Sequence, residues 1–209
     1  MTPPPFRAKL TRTNVLYFVE KESDTATSGK VIWSATMSLD GFIAGPDDEM
    51  DWVFQYTDPN PVAEELIRST GAVLAGKHSY DVGRKAQRPE MREVFGGGWS
   101  GAQFVLTHRT LEADPANIFL SGDIRKAVAT ALEAAKGKNV NLIGADVGRQ
   151  CIEAGLVDEI IVLLAPILLG DGVRFFSQLA TAPIDLETIS VTQSGRITNL
   201  HYRVRKSSA

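Results

Sequence analysis

The sequence has little of what usually marks a reactive centre. Only one of its 209 residues is cysteine, Cys151, and three are histidine. An internal disulfide framework is therefore excluded, and no zinc-ligand spacing can be drawn. The lone thiol fits a reducing cytoplasm and reads as a buried structural residue on a helix face. There is no G-x-S-x-G to support a nucleophile elbow and no G-x-G-x-x-G. Gly170-Asp171-Gly172 lacks the carboxylate ladder of a calcium loop, so no metal is expected. No apolar run approaches the roughly 20 residues that cross a bilayer. The longest, "IIVLLAPILL" at 160–169, is interrupted by Pro166. The start, "MTPPPFRAKL", has no apolar middle of a signal peptide. Net charge is −3 with both signs mixed along the chain, so nothing marks a nucleic-acid surface. The expectation is a soluble, cytoplasmic protein without nucleic-acid or membrane partners.

What is present suits one globular domain: 44% of residues are hydrophobic and 22% charged. Residues 1–29, with three early prolines and a polar end, read as an extension or arm whose apolar patch "VLYFV" can add a short strand to the body or to a neighbouring subunit. Residues 30–209 form the body. Strand-type runs are expected at 30–37, 72–76, 103–108, 117–120, 139–144 and 158–166. Helices are expected at 61–70, 123–136 and 146–155, the second capped by Asp123 and ended by Gly137. Residues 84–102 read as a long surface loop. Period-two alternation over 185–193 and 196–205, around Ser194-Gly195, predicts a closing antiparallel hairpin. The pattern is an α/β domain with a mainly parallel central sheet flanked by helices, in which ligands sit beyond the carboxyl ends of the strands.

Three strand exits there carry suggestive chemistry. In "NLIGADVGRQ" small residues open a helix whose free N–H groups can hold phosphate, although Asp146 opposes an anion unless it points away. In "LAGKHSYD" a cation and two hydroxyls follow Gly76. In "VLTHR" a hydroxyl and a guanidinium, Thr107 and Arg109, flank His108 and can grip the extra phosphate that separates NADP from NAD. Each has a plain reading as a tight turn or solvated loop; together they outline a groove for a phosphorylated ligand. "MSLDGFIAG" (37–45) places Asp40 at the mouth of the first strand, either as an Asp-Gly turn or as the lip of a site. The acidic run 47–51 reads as a solvated loop, with Trp52 beside it a possible wall.

Taken together, "MSLDGFIAG", "LAGKHSYD", "VLTHR" and above all "GLVDEI" (155–160) with "APILLGDGVRFF" (165–176) resemble the reductase domain shared by bacterial riboflavin-biosynthesis deaminase-reductases (the RibD C-terminal domain) and dihydrofolate reductase-like proteins, over residues 30 to 205. The resemblance implies a dihydrofolate reductase-like fold, NADPH as hydride donor and a homodimer. It assigns cofactor contacts to Gly76, Lys77, His78 and Ser79, to Thr107, His108 and Arg109, and to Gly144, Ala145, Asp146, Val147 and Gly148. It places the Ser38–Gly41 turn beside the nicotinamide and substrate, with Met37, Asp40, Trp52 and Tyr80 as substrate-side candidates. The chain departs from the family pattern at Ala145 for the second glycine, at Ile143 for an acidic residue and at Ser34 for a lysine. The last two departures bear on the 5-amino-6-(5-phosphoribosylamino)uracil substrate more than on NADPH.

The expected activity is NADPH-dependent reduction of a small pyrimidine- or pteridine-like heterocycle. Asp40 is the first candidate for orienting substrate or relaying a proton, Asp51 and Tyr80 weaker ones. An acid role for Asp40 requires a pKa raised well above about 4. The alternative is a non-catalytic dimeric protein of this fold that binds a nucleotide or heterocycle.

Overall fold

In the computed structural model, residues 29–206 are described apart from 110, 111, 178 and 181, together with the backbone of Leu16–Tyr17. In chain order the elements are β1 (Leu16–Tyr17), β2 (Val31–Ser38), β3 (Phe42–Ala44), α1 (Pro61–Ser69), β4 (Thr70–Gly76), α2 (Lys77–Lys85), α3 (Pro89–Arg92), β5 (Ala102–Leu106), β6 (Ile118–Leu120), α4 (Ile124–Ala134), β7 (Asn139–Ile143), α5 (Ala145–Glu153), β8 (Glu159–Ala165), β9 (Val173–Arg174), β10 (Leu186–Ser194) and β11 (Ile197–Val204). Short 3-10 turns occupy Pro46–Asp48, Asp51–Gln55 and Val94–Gly97.

One sheet runs β1-β10-β11-β8-β2-β7-β4-β5-β6. From β8 to β6 every neighbouring pair is parallel; β11, β10 and β1 continue the sheet antiparallel. The closing hairpin turns at Gly195, with Ser194 opposite Ile197. Leu16 and Tyr17, from the "VLYFV" patch, pair with Val191 and Ser190 on the outer edge of that hairpin. The rest of the expected arm lies outside the described residues. A separate two-stranded ribbon pairs β3 with β9.

Period two sorts the strand side chains between two layers. Val31, Trp33, Leu74, Val140 and Leu142 join α4 and α5 in the main core, where Ala127, Val128, Ala131, Val147, Cys151 and Ile152 are buried. Ile32 and Ile161, on the opposite face, pack with Leu66 of α1. The helices form where expected. Asn60 caps α1 by accepting from Val62 and Ala63, and Asp123 caps α4 by accepting from Arg125.

Two regions differ from expectation. Lys77–Tyr80, read as a loop, form the first turn of α2, a helix none of whose residues is fully buried. The 84–102 stretch is not continuous loop: it contains the end of α2, then α3 and a 3-10 turn.

Candidate active site

A cavity of about 1210 Å³ opens on the α1 face of the sheet and reaches the carboxyl ends of β4, β5 and β7. Single small-molecule pockets run roughly 300–1,000 Å³, so this one has room for more than one ligand. Its floor comes from alternate residues of the central strands, among them Ser34 and Thr36 on β2, Ala75 on β4, Asn141 and Ile143 on β7, and Leu163 on β8. Its roof includes Leu66 and Ile67 of α1, Val53 and Phe54 of the 51–55 turn, and Met91, Val94 and Phe95 from the 89–97 segment.

At the strand ends two helices start toward this space. Gly76 precedes α2 and Gly144 precedes α5, and neither helix is capped by a side chain. The first-turn N–H groups and the positive ends of the helix dipoles are thus left for an anion. Gly144 has φ +103°, and a Cβ there would stand 2.2 Å from Ser79 Oγ, so this backbone must be glycine for the two helix starts to approach. The carboxylate of Asp146, which sits in the first turn of α5, is drawn back by Arg149 at 2.8 Å and Gln150 at 2.8 Å. Lys77 pairs with Asp81 one turn on. After β5, Thr107 is buried; its hydroxyl accepts from the Arg109 N–H at 3.0 Å and builds the turn, leaving His108 and Arg109 exposed at the cavity edge. Gly76, Lys77, His78, Ser79, Tyr80, Thr107, His108, Arg109, Gly144, Ala145, Asp146 and Val147 all line one cavity.

Six expected residues take other roles. Gly148 faces the core: a Cβ there would stand 1.9 Å from the indole of Trp33, which is fully buried and donates to Gly144 O at 3.2 Å. Met37 packs on the main core, because its parity on β2 is that of Trp33. Trp52 is buried with Ala165 and Ile197 behind the cavity. Tyr80 lines the cavity at its β5–β6 end, donating to Asp114 at 2.9 Å, accepting from Arg84 at 2.9 Å and standing edge-on to Phe119. It is thus far along the cavity from β2, and its hydroxyl is already engaged.

Asp40 is the main correction. Its carboxylate accepts from Ser38 Oγ at 2.6 Å, from Gly170 N at 2.7 Å and from Leu169 N at 3.1 Å, and it does not line the cavity. The Ser38 hydroxyl and then the two loop amides hold its pKa down, at about 2. A proton relay needs the opposite shift. Gly41, at φ +93°, closes the turn by donating to Ser38 O, and Phe42 N donates to Ser38 Oγ. Asp40 is thus a clamp between the first turn and the "PILLGDG" loop. Asp51 also lies off the cavity, on Arg88 at 2.9 Å.

Sequence reasoning missed Asn141. Ser34 Oγ donates to its Oδ1 at 2.9 Å, yet its Nδ2 has no partner although the residue is 1% exposed. An orphaned buried donor costs about 1–3 kcal/mol. Trp52 Nε1 is also unpartnered, but of the two only Asn141 lines the cavity. The signal available was a polar residue at the centre of a strand whose neighbours, Val140 and Leu142, are wholly buried.

With this geometry in view, comparison with known proteins is informative. The model of the RibD C-terminal domain family matches residues 29–199, and the chain belongs to that family. It is 29% identical over 153 residues to the uncharacterised protein YyaP of Bacillus subtilis (strain 168), covering 70% of this chain and 80% of YyaP. Among solved structures, a Shewanella sp. PV-4 protein assigned to riboflavin biosynthesis superposes with a TM-score of 0.68 at 22% identity, covering 85% of this chain and 99% of the other. Dihydrofolate reductase from Enterococcus faecalis, complexed with NADP(H), superposes at 0.59 with 11% identity, covering 86% and 99%. The fold is therefore dihydrofolate reductase-like. Among the described residues no helix is long and apolar enough to cross a membrane, and no group of three or more His, Cys, Asp or Glu residues gathers to hold a metal ion.

Proposed function

We propose that this protein is an NADPH-dependent reductase of a small pyrimidine- or pteridine-like heterocycle. The observation that carries the reading is the two-part cavity, with uncapped helix starts and basic side chains at one end and a neutral polar floor at the other. The residues fit the cofactor. The N-termini of α2 and α5 would hold its pyrophosphate, the close approach at Gly144 leaves room beside them, and His108 and Arg109 would meet its 2′-phosphate. When bound, NADPH supplies the hydride. The chain supplies position: the roof residues exclude water, and the hydroxyls of Ser34 and Thr36 with the amide of Asn141 orient the ring. No cavity-lining residue of β2, β4, β7 or β8 is ionisable, so the floor itself offers no proton donor; the ionisable side chains of the cavity, among them Asp48, His78 and Glu93, stand on the surrounding turns and helices.

The test is steady NADPH oxidation with a panel of pterins and pyrimidines, alongside thermal shifts with NADPH and NADH. A larger shift with NADPH is expected, and Arg109→Gln should lower NADPH affinity about tenfold while leaving NADH affinity unchanged, as expected for a charge-assisted contact. Equal shifts for the two nucleotides in the native protein would overturn the phosphate grip. The same lack of an acid on the floor favours a second reading, a non-catalytic protein that binds nucleotide and heterocycle; nucleotide binding without NADPH consumption on any ring would select it. A homodimer remains part of the proposal, supported by Leu39 and Leu168, which are 62% and 69% exposed on adjoining loops. Sedimentation measures it directly.

A further inference from the structure

We infer that Asp48 and the phosphates of a bound nucleotide compete for His78, so that the turn carrying Asp48 is a built-in brake on cofactor binding, released as the nucleotide enters. The inference rests on the reductase reading of the cavity and concerns how that site admits and lets go of its nucleotide.

His78 lies in the first turn of α2, on the helix start that the proposed function gives to the pyrophosphate. A carboxylate only accepts, so the imidazole Nε2 carries the hydrogen and donates to Asp48 Oδ1 at 2.8 Å. Asp48 comes from another element, the 3-10 turn Pro46–Asp48 after β3, and both side chains line the cavity. Two other acids near the helix starts are held from within their own helices: Asp81 pairs with Lys77, and Asp146 is drawn back by Arg149 and Gln150. Asp48 is instead brought to the phosphate end from outside. The turn that brings it is strained. Asp47 and Asp48 stand at φ +57° and +63°, two consecutive left-handed residues neither of which is glycine, and Gly45 N closes the turn by donating to Glu49 O at 2.8 Å. Such a backbone persists only where its surroundings hold it. A phosphate on His78 would stand beside the Asp48 carboxylate, and like charges that close repel. The contact is also weak enough to yield, because both side chains are partly exposed and water and salt compete for the pair. Arg88 pins the following stretch separately, through Asp51 at 2.9 Å and the ring of Phe54 at 4.8 Å. Loss of the Asp48 contact therefore frees the mouth while the roof that carries Val53 and Phe54 stays in place.

The experiment is calorimetric titration of the full chain with NADPH, NADH and inorganic pyrophosphate at one pH and one salt concentration. Asp48→Asn keeps the shape of the side chain and suits a left-handed backbone, so it removes the charge alone. It should tighten all three ligands about fivefold, because the competing contact is an exposed pair and the repulsion is gone. Asp48→Gly, which also relieves the backbone, should show the same gain and decides the matter if the asparagine variant does not fold. His78→Gln should weaken all three ligands, and adding Asp48→Asn to it should then bring no gain. Glu93→Gln, which neutralises another acid of the cavity wall, should change affinity less than about twofold. No gain in Asp48→Asn, a gain that survives His78→Gln, or an equal gain from Glu93→Gln would each overturn the inference. The pyrophosphate titration separates it from the reading beneath it. If neither nucleotide binds but pyrophosphate gains through His78, the reductase reading falls and the inference stands. If the nucleotides bind and Asp48→Asn leaves their affinity unchanged, the inference alone falls. Binding of none of the three overturns both.

Discussion

The Ser38–Gly41 turn and the cavity floor are both polar insertions at the carboxyl end or middle of central strands, and they manage their polar groups in opposite ways. In the turn every lone pair that matters is taken. Asp40 binds one hydroxyl and two backbone amides, Ser38 binds Phe42, and Arg174 donates to the Asp40 carbonyl at 3.2 Å. On the floor and at the helix starts the donors stay open, at Asn141 Nδ2 and in the uncapped first turns of α2 and α5. A network that satisfies itself rigidifies a fold, whereas one left open has something to offer a ligand. The more reactive-looking of the two motifs is therefore the structural one.

Two glycines at one junction test this division most severely. Gly148→Ala drives a methyl group against the fully buried Trp33 ring and should cost about 3 kcal/mol or prevent folding, as overpacking of a rigid core does. Gly144→Ala meets Ser79 and an unfavourable φ of +103°, for about 2 kcal/mol. It should also weaken NADPH binding, because the new methyl group sits between the two helix starts. Urea denaturation with a fluorescence titration of NADPH reads both quantities. Where Gly148→Ala folds, its NADPH affinity should be native; equal losses in the two variants would erase the distinction between packing and binding glycines.

Asp40→Asn comes next in size. It keeps the shape of the side chain but removes the charge that Leu169, Gly170 and Ser38 solvate. The expected result is a lower thermal midpoint with NADPH affinity and turnover little changed; a large fall in turnover with native stability would return Asp40 to the site. The pH dependence has a definite sign. The carboxyl's folded pKa, about 2, lies below its ordinary 3.8. Its contribution is therefore full above about pH 4 and is lost as pH falls through about 2. The gap in midpoint between native protein and Asp40→Asn should narrow over that interval. An acid limb will remain in the variant, because burial alone would raise the pKa of Glu159 but His201 and Lys30, each at 2.8 Å, hold it at about 2.

What the chain discloses on reading follows from where the information lies. Strands β2, β4, β7 and β8 are short runs with consecutive buried residues, covered on both faces, and helix α4 buries Ala127, Val128 and Ala131 on one face, so their pattern is local and legible. Helix α2 has no fully buried residue, and Lys77 to Asp81 are polar throughout, so no stripe announces it. The β3–β9 ribbon is three residues against two, too short for a period to register. At the site, Gly76, Gly144 and Arg109 were legible because glycine and a cation at a strand exit have a meaning independent of their neighbours. Asn141 was not, since its importance depends on Ser34, 107 positions away in the chain, leaving one end of its amide unpaired. Asp40 misled for the same reason: the amides that occupy it belong to a loop 129 positions on.

The smallest effect is expected where the cavity mouth looks most firmly fastened. Asp48, on the turn that follows β3, meets His78 on α2 at 2.8 Å, and both line the opening. The side chains are 33% and 64% exposed, so water competes for the pair and salt screens it. Asp48→Asn should therefore change stability in urea denaturation by only about 0.5 kcal/mol. If it instead cost about 2 kcal/mol or more, the mouth would be fastened as a buried network is and not as an exposed pair. The contrast between a closed turn and an open floor would then have to be redrawn around the segment that carries Asp48.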